Sequence, residues 1–433
     1  MRQPPGSMLL LSYRLLLSLL TPLLLLLLLW RTWRGREDPR RLGERLGWPS
    51  RRRPPGRLVW LHAASVGELG SLTPLLQALA EAVGRQGQAM PAVLVTSVTR
   101  TAADLAAQLL PAGVIHQYVP IDHWLAFALF RYHWRPDLGL LAEAELWPEL
   151  IHAMPGPLLI NARVSARSYR RHRRLAWFAG WLYGRCRGCF AQSAEDGERL
   201  HRLGAPQPLA LGSTKWDAAP LAVDAHWLGL LRRCWPGRRV LLLASSHPGE
   251  EALLLEAWPD LRRGVAPQGL ALLLVPRHPG RAAAVLALAQ AAGLQARLLA
   301  ELAPGDGADV VVVDRLGLMG SWMAAADLVV MGGSFRVGGR SIGGHNPLEP
   351  VRAGRPVLCG PDMANFTELC ERLEQAGWLQ RLPSARAIWA VAAQRLAAPQ
   401  PPSAPRQLPE VAGPSRQIAR LIVERLASCR QPI

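Results

Sequence analysis

The sequence predicts an α/β fold of two parallel-sheet domains behind an N-terminal membrane-anchor helix. Three observations carry this. Short, unbroken apolar runs alternate with alanine- and leucine-rich helical stretches. At 433 residues the chain is too long for one ordinary core and suits about two domains, at roughly 100–200 residues each. An almost wholly apolar segment, residues 8–30, stands near its start.

That segment, MLLLSYRLLLSLLTPLLLLLLLW, would reach ~34 Å as a helix, enough for a hydrocarbon core of about 30 Å. Arg14 and Pro22 interrupt it, and its uncharged part, residues 15–30, is 16 residues long. No small-residue cleavage site follows, so an uncleaved anchor is expected rather than a signal peptide. A collar of Trp30, Arg31, Trp33, Arg34 and Arg36 comes next, as at a membrane interface. The arginines lie after the helix, so the positive-inside rule puts the body in the cytoplasm. Length alone leaves open whether the helix spans the bilayer or rests in one leaflet.

Strands are predicted at 58–62, 93–97, 138–142 and 158–160 in the first half. In the second half they fall at 240–244, 270–275, 310–313, 328–331 and 357–359. Apolar strands of this kind, separated by helices, make parallel sheets covered on both faces. The expected organisation is an anchor and basic collar at 1–36, a first domain at 37–220 and a second at 221–398. A Pro-rich linker and a terminal amphipathic helix then occupy 399–433.

The net charge is +18, and Lys215 is the single lysine among 50 basic residues. Arginine excess of this sort follows genome composition and does not by itself argue for nucleic acid. Its placement says more. Residues 1–57 hold twelve arginines against Glu37, Asp38 and Glu44, and residues 167–187 hold seven with no acid. Such blocks beside apolar sequence point to a phosphate-rich surface. The second block, with Arg170, Arg171, Arg173 and Arg174 followed by Trp177 and Trp181, suits a lipid headgroup interface. A core helix with a solvated basic end fits the same residues. Six cysteines are no disulfide framework in a chain this long, and Cys186 and Cys189 lack a second pair at zinc-ribbon spacing. No clear metal site and no cofactor are expected.

Open parallel sheets bind ligands at the carboxyl ends of their strands, so motifs just after strands matter most. Glu68 starts a helix after the first strand; there a carboxylate serves as a general base or simply favours the helix dipole. Glu143 and Glu145 follow the strand at 138–142 and would face the same way on an extended backbone. Arg277 follows Pro276 at another strand end and suits a phosphate or carboxylate, or is a plain surface residue. Gly343 and Gly344 precede His345, Asn346, Pro347, Leu348 and Glu349. In that run Asn346 suits an N-cap, Pro347 the N1 position and Glu349 a capping box at N3. Loop and helix tip together could hold a nucleotide, or Glu349 only caps.

Nine segments in order carry a family resemblance: WLHAASVGE, AEAELWPELI, NARVSARS, AQSAEDGERLHRLGA, GSTKWD, ASSHPGEE, VPRHPGR, GGHNPLEP and GPDMANF. The chain resembles the 3-deoxy-D-manno-octulosonic acid (Kdo) transferases of lipopolysaccharide biosynthesis, nearly end to end. The resemblance implies a GT-B glycosyltransferase, two Rossmann-like domains facing a cleft. It implies CMP-Kdo as donor and a lipid A precursor as acceptor, at the cytoplasmic side of a bacterial inner membrane, with no nucleic acid partner. Glu68 matches the family's base, and Glu143 and Lys215 its supporting catalytic residues. Donor positions fall at Pro276 and Arg277, at Leu316, Gly317 and Leu318, and in the run from Gly343 to Glu349. Two departures stand out. Leu316-Gly317-Leu318 replaces a usual Met-Gly-Glu, so a contact from that glutamate is lost, and Arg336 to Arg340 lengthen the loop between Gly333 and Gly343.

Overall fold

The computed structural model describes residues 6–143, 145–218, 220–264, 269–339, 341–398 and 413–428. Most of the predicted Pro-rich linker, and Arg340 of the lengthened loop, lie outside them. The chain divides into two compact units, residues 1–218 with 411–433, and residues 219–410.

The first unit holds strands β1 (Leu58–His62), β2 (Ala92–Ser97), β3 (Ile115–Tyr118), β4 (Leu138–Ala142), β5 (Leu158–Ala162), β6 (Gly188–Ala191) and β7 (Leu209–Ala210). They form one sheet in the order β3-β2-β1-β4-β5-β6-β7. The second holds β8 (Arg239–Ser246), β9 (Leu270–Pro276), β10 (Ala296–Leu298), β11 (Val310–Val312), β12 (Leu328–Met331), β13 (Val357–Cys359) and β14 (Leu379–Arg381). Its order is β10-β11-β9-β8-β12-β13-β14. Every pairing in both sheets is parallel. These are the two Rossmann-like sheets the sequence predicts.

Each sheet is buried on both faces because its strands alternate sides. In β1, Val59 and Leu61 join one core with the helix Val66–Arg85, while Leu58 and Trp60 join another with Phe127, Phe130 and Trp134. The strands that prediction missed are mostly short or polar. β3 reads IHQY, β7 has two residues, and the edge strands β10 and β14 carry Arg297 and Arg381. Edge strands use charge to avoid further pairing, which erases the apolar signal. β6 lies just after the second arginine block.

The predicted terminal helix is present as Ser415–Ser428 and packs on the first unit. Ile418, Ala419, Ile422, Val423 and Leu426, at helical spacing, are buried in the core beside Val66–Arg85. Asp217 ties down its start: the carboxylate accepts hydrogen bonds from Gly413 N and Ser415 N, both at 2.8 Å.

In both sheets the strand order reverses direction from a central pair, β1/β4 in the first unit and β8/β12 in the second. Loops leaving such a pair diverge and open a crevice at the strands' carboxyl ends. Glu68 follows β1, Glu143 follows β4 and the run from Gly343 to Glu349 follows β12, while Arg277 follows the neighbouring β9.

Candidate active site

In the first unit the crevice is set by the loops after β1 and β4. Ser65 caps the helix Val66–Arg85, with extended backbone and Oγ accepting from Glu68 N at 3.3 Å. Glu68 returns the contact: Oε1 accepts from Ser65 Oγ at 2.7 Å and Oε2 from Ala64 N at 2.8 Å. The carboxylate therefore does cap its helix, yet capping is only part of its setting. It is 6% exposed. Burial first, and then the charges of Glu143 and Glu145, push its carboxyl up to about 7 against the two hydrogen bonds that favour the anion. A carboxylate poised near neutral pH is suited to accept a proton.

Glu143 departs from the predicted geometry. The strand stops at Ala142, and Glu143 sits in the left-handed region at φ 59°, so it and Glu145 do not share one face of an extended strand. A non-glycine residue held there is strained, and such strain gathers at functional sites. The turn brings Glu143 Oε1 to 3.4 Å from Lys215 Nζ, with both side chains about one-third exposed. Structure thus joins Glu143 and Lys215 and places Glu68 within reach of Glu143's field.

Asn161, at the end of β5, positions Lys215 and was not singled out from sequence. It too is left-handed, at φ 55°, and buried. Its Oδ1 accepts from Thr214 N at 3.0 Å, while Ser213 Oγ accepts from Lys215 N at 3.3 Å. Trp216 is buried beneath the short turn Thr214–Asp217. The one available signal was its place in NARVSARS just after a strand.

In the second unit Glu250, also missed, organises the crevice. It is buried, with Oε2 accepting from His247 N at 2.8 Å and Gly333 N at 2.9 Å, and Oε1 from Phe335 N at 3.3 Å. One carboxylate thus joins the loops after β8 and β12. Close backbone approach requires glycine beside it: a Cβ on Gly332 would lie 2.5 Å from Ser245 O. Ser245 is itself left-handed, at φ 56°, where the β8/β9 register shifts. The GPDMANF segment seats the second glycine loop. Asn365 N donates to Gly343 O at 2.9 Å, and a Cβ on Gly344 would meet Met363 Sδ at 2.3 Å.

Beyond that loop the helix Leu348–Arg352 has Pro347, not Asn346, at its N-cap, and Asn346 one residue earlier accepts through Oδ1 from Leu348 N at 3.2 Å. The predicted capping box is altered, because Asn346 donates from Nδ2 to Glu349 Oε1 at 3.3 Å. Burial pushes the Glu349 carboxyl up, while Asn346 and Arg277 pull it down. His345 stacks on His247 at 5.1 Å with their Nε2 atoms 2.9 Å apart. Burial, with Arg277 and His247 adding to it, lowers His345 to about 4, so this pair is neutral at pH 7.

Pro276 ends β9, and Arg277 is exposed just beyond it, with no ion pair among the described residues. Leu316, Gly317 and Leu318 form the turn before the helix Met319–Ala325; Leu316 is exposed and Gly317 has φ 88°. Leu318 brings no hydrogen-bonding side chain to that turn. In the lengthened loop, Val337 packs on the second unit's core and against Gly249.

The arginine block forms two helices, Ala166–Arg173 and Ala176–Tyr183, rather than one. Arg170, Arg171, Arg173 and Arg174 are exposed, and among the described residues none of them is in an ion pair. Trp177 is 45% exposed, whereas Trp181 is half-buried, stacked on Phe178 at 6.0 Å.

A family model described as 3-deoxy-D-manno-octulosonic-acid transferase (kdotransferase) matches residues 40–218. The 3-deoxy-D-manno-octulosonic acid transferase of Rickettsia bellii is 32% identical over 369 residues, 84% of this chain and 85% of that protein. Its counterpart in Bordetella pertussis is 36% identical over 365 residues, 79% of this chain and 80% of the relative. Among solved structures, the UDP-GlcNAc 2-epimerase of Neisseria meningitidis, bound to UDP-GlcNAc, aligns with 86% of this chain and 100% of its own, at 13% identity and TM-score 0.55. That last likeness is one of fold.

Proposed function

The chain belongs to the 3-deoxy-D-manno-octulosonic acid (Kdo) transferase family, and on that premise we propose that it transfers Kdo from CMP-Kdo to a lipid A precursor with Glu68 as general base. It is a glycosyltransferase of lipopolysaccharide biosynthesis. The observation that carries the reading of its chemistry is Glu68, buried where the strand order reverses, with its carboxyl raised to about 7.

A sugar hydroxyl is a poor nucleophile, so the acceptor's proton must leave as the new bond forms. In the proposed step an acceptor oxygen attacks the anomeric carbon of Kdo and its proton passes to Glu68. The bond to CMP breaks and its electron pair leaves with the phosphate. This single displacement inverts the anomeric centre. Growing charge on the leaving phosphate calls for cations. Lys215, held by Glu143, is the first unit's candidate for this role, and the exposed Arg277 is the second unit's. Asn346 and Glu349, with the loop that Glu250 and Asn365 brace, are assigned to the nucleotide.

Incubating the protein with CMP-Kdo and a lipid A precursor, followed by mass spectrometry, tests this directly. One Kdo or more should be added, and CMP should inhibit where UDP does not. Inhibition by UDP alone would point to another donor.

We further assign the protein to the cytoplasmic face of the inner membrane, supported by the exposed leucines of the helix Gly6–Trp33 and by the arginines after it. The exposed arginines of 170–174 are assigned to the acceptor's phosphates and the membrane surface. Each basic residue near an anionic surface is worth about 1 kcal/mol. Changing Arg170, Arg171, Arg173 and Arg174 to glutamine should therefore raise the KM for the lipid acceptor at least ~10-fold. The KM for CMP-Kdo should not move. Unchanged acceptor kinetics, in detergent and in anionic vesicles alike, would refute the assignment.

A further inference from the structure

The helix Gly6–Trp33 does not stand away from the first unit. Its less exposed residues Leu10, Tyr13, Leu17, Thr21, Leu24 and Leu28 recur every three or four positions along one stripe, while Leu19 on the far side is 78% exposed. Polar anchors run along the same side. Tyr13 donates to Asp122 Oδ2 at 2.6 Å, and Arg14 grips both oxygens of Glu149 at 2.5 and 3.0 Å. Trp124 Nε1 donates to Ser18 Oγ at 3.2 Å, and Arg31 pairs with Glu37 at 2.8 Å. Tyr13 and Arg31 are about 27 Å apart along the helix. A segment docked over that length cannot cross a core of about 30 Å without drawing Asp122, Glu149 and Glu37 into hydrocarbon, where charges are costly. The geometry fits a helix lying in the membrane plane, leucines outward.

Behind it, between helix and body, lies a cavity of about 330 Å³. Leu17, Leu24 and Leu28 wall it from the helix, and Val98, Ile121 and Phe127 from the body. Arg31, Glu37, Arg45 and Asp122 also line it, and mostly apolar walls with a few polar groups, at a volume of this size, are those of a ligand site. His62 adds a polar group to the lining. It is 1% exposed, and its Nδ1 pairs with Thr96 Oγ1 at 3.0 Å. Its Nε2 is buried and has no hydrogen-bond partner among the described residues. Burial lowers this imidazole to about 4, so it is neutral at pH 7 and Nε2 is left with one hydrogen bond to make.

We propose that this cavity takes one fatty acyl chain of the lipid acceptor, with a hydroxyl or amide group of that lipid hydrogen-bonded to His62 Nε2. The inference rests on the acceptor assigned above. It favours the acceptor over a structural phospholipid because His62 ends β1, and two residues later Ala64 N holds the carboxylate of Glu68. A chain seated here ties the glycolipid to the segment that presents the base.

The test compares Kdo transfer to the acylated acceptor with transfer to the same sugar stripped of its chains. The variants are Leu24→Trp and, separately, Ile121→Trp, which fill the cavity from opposite walls. The ratio of kcat/KM on the acylated acceptor to that on the stripped one should fall at least tenfold in each. A ratio within twofold of wild type in both variants overturns the proposal, as does equal loss on both acceptors. An unchanged ratio with a lowered Tm also overturns it and says that a structural lipid sits there. Wild-type protein that transfers nothing from CMP-Kdo to either acceptor would instead refute the reading of the reaction itself, and this inference with it.

Discussion

Glu68→Gln should lower kcat by about 10²–10⁴-fold, the usual worth of a positioned general base. Glutamine keeps the shape and the local contacts: its carbonyl can still accept from Ala64 N, and its amide can donate to Ser65 Oγ. The helix should therefore stay capped and Tm should change little, which separates loss of basicity from loss of fold. The pH profile gives a second measurement. Burial raises the Glu68 carboxyl to about 7, and only the deprotonated form accepts a proton. In wild type, kcat/KM should fall as pH drops through 7, toward tenfold per unit well below it. The residual activity of the variant should lack that limb. Near-normal turnover by Glu68→Gln, with the acid limb intact, would leave Glu68 as a helix cap and nothing more.

Lys215→Arg should reduce kcat well over tenfold, more than ~1.4 kcal/mol of transition-state stabilisation, although it preserves charge. Everywhere else this protein uses arginine as its long-chain cation, so the lone lysine marks a place where a compact ammonium is required. The structure supplies a reason. Among the described residues Lys215 Nζ makes one long contact, 3.4 Å, with Glu143 and stays one-third exposed, leaving donors for a ligand. A guanidinium at that position would fork onto the carboxylate and commit its donors there. Affinity for CMP-Kdo, measured by calorimetry, should weaken less than turnover, because the charge matters most as the phosphate departs. Kinetics within twofold of wild type would show that any cation suffices.

Much of this was legible along the chain because it is written in local pattern. Unbroken apolar runs such as LVWLH and LALLLVP marked central strands, since a strand buried on both faces has no polar side to show. Glu68 just after the first strand, and Asn346 before Pro347, marked helix starts, since helix-start signals involve near neighbours. Edge strands such as Ile115–Tyr118 were not legible, because a polar strand at a sheet edge carries the composition of a loop.

The sequence by itself therefore determined the two parallel sheets, the strand-end positions of Glu68, Glu143 and Arg277, and the apolar character of the first helix. Only the tertiary structure decided which groups meet. Lys215 reaches Glu143 across 72 residues of chain, and Asp217 caps a helix 198 residues away. Arg14 reaches Glu149 across 135, which docks the first helix on the first unit. The left-handed turn at Glu143 undid the shared face that an extended strand would have imposed on Glu143 and Glu145. The physical reason is one of range. Helix caps and strand periods depend on a few adjacent residues. A pairing between charges, the burial that raises a carboxyl toward neutrality and a cavity closed by a distant helix depend on how the chain folds back on itself.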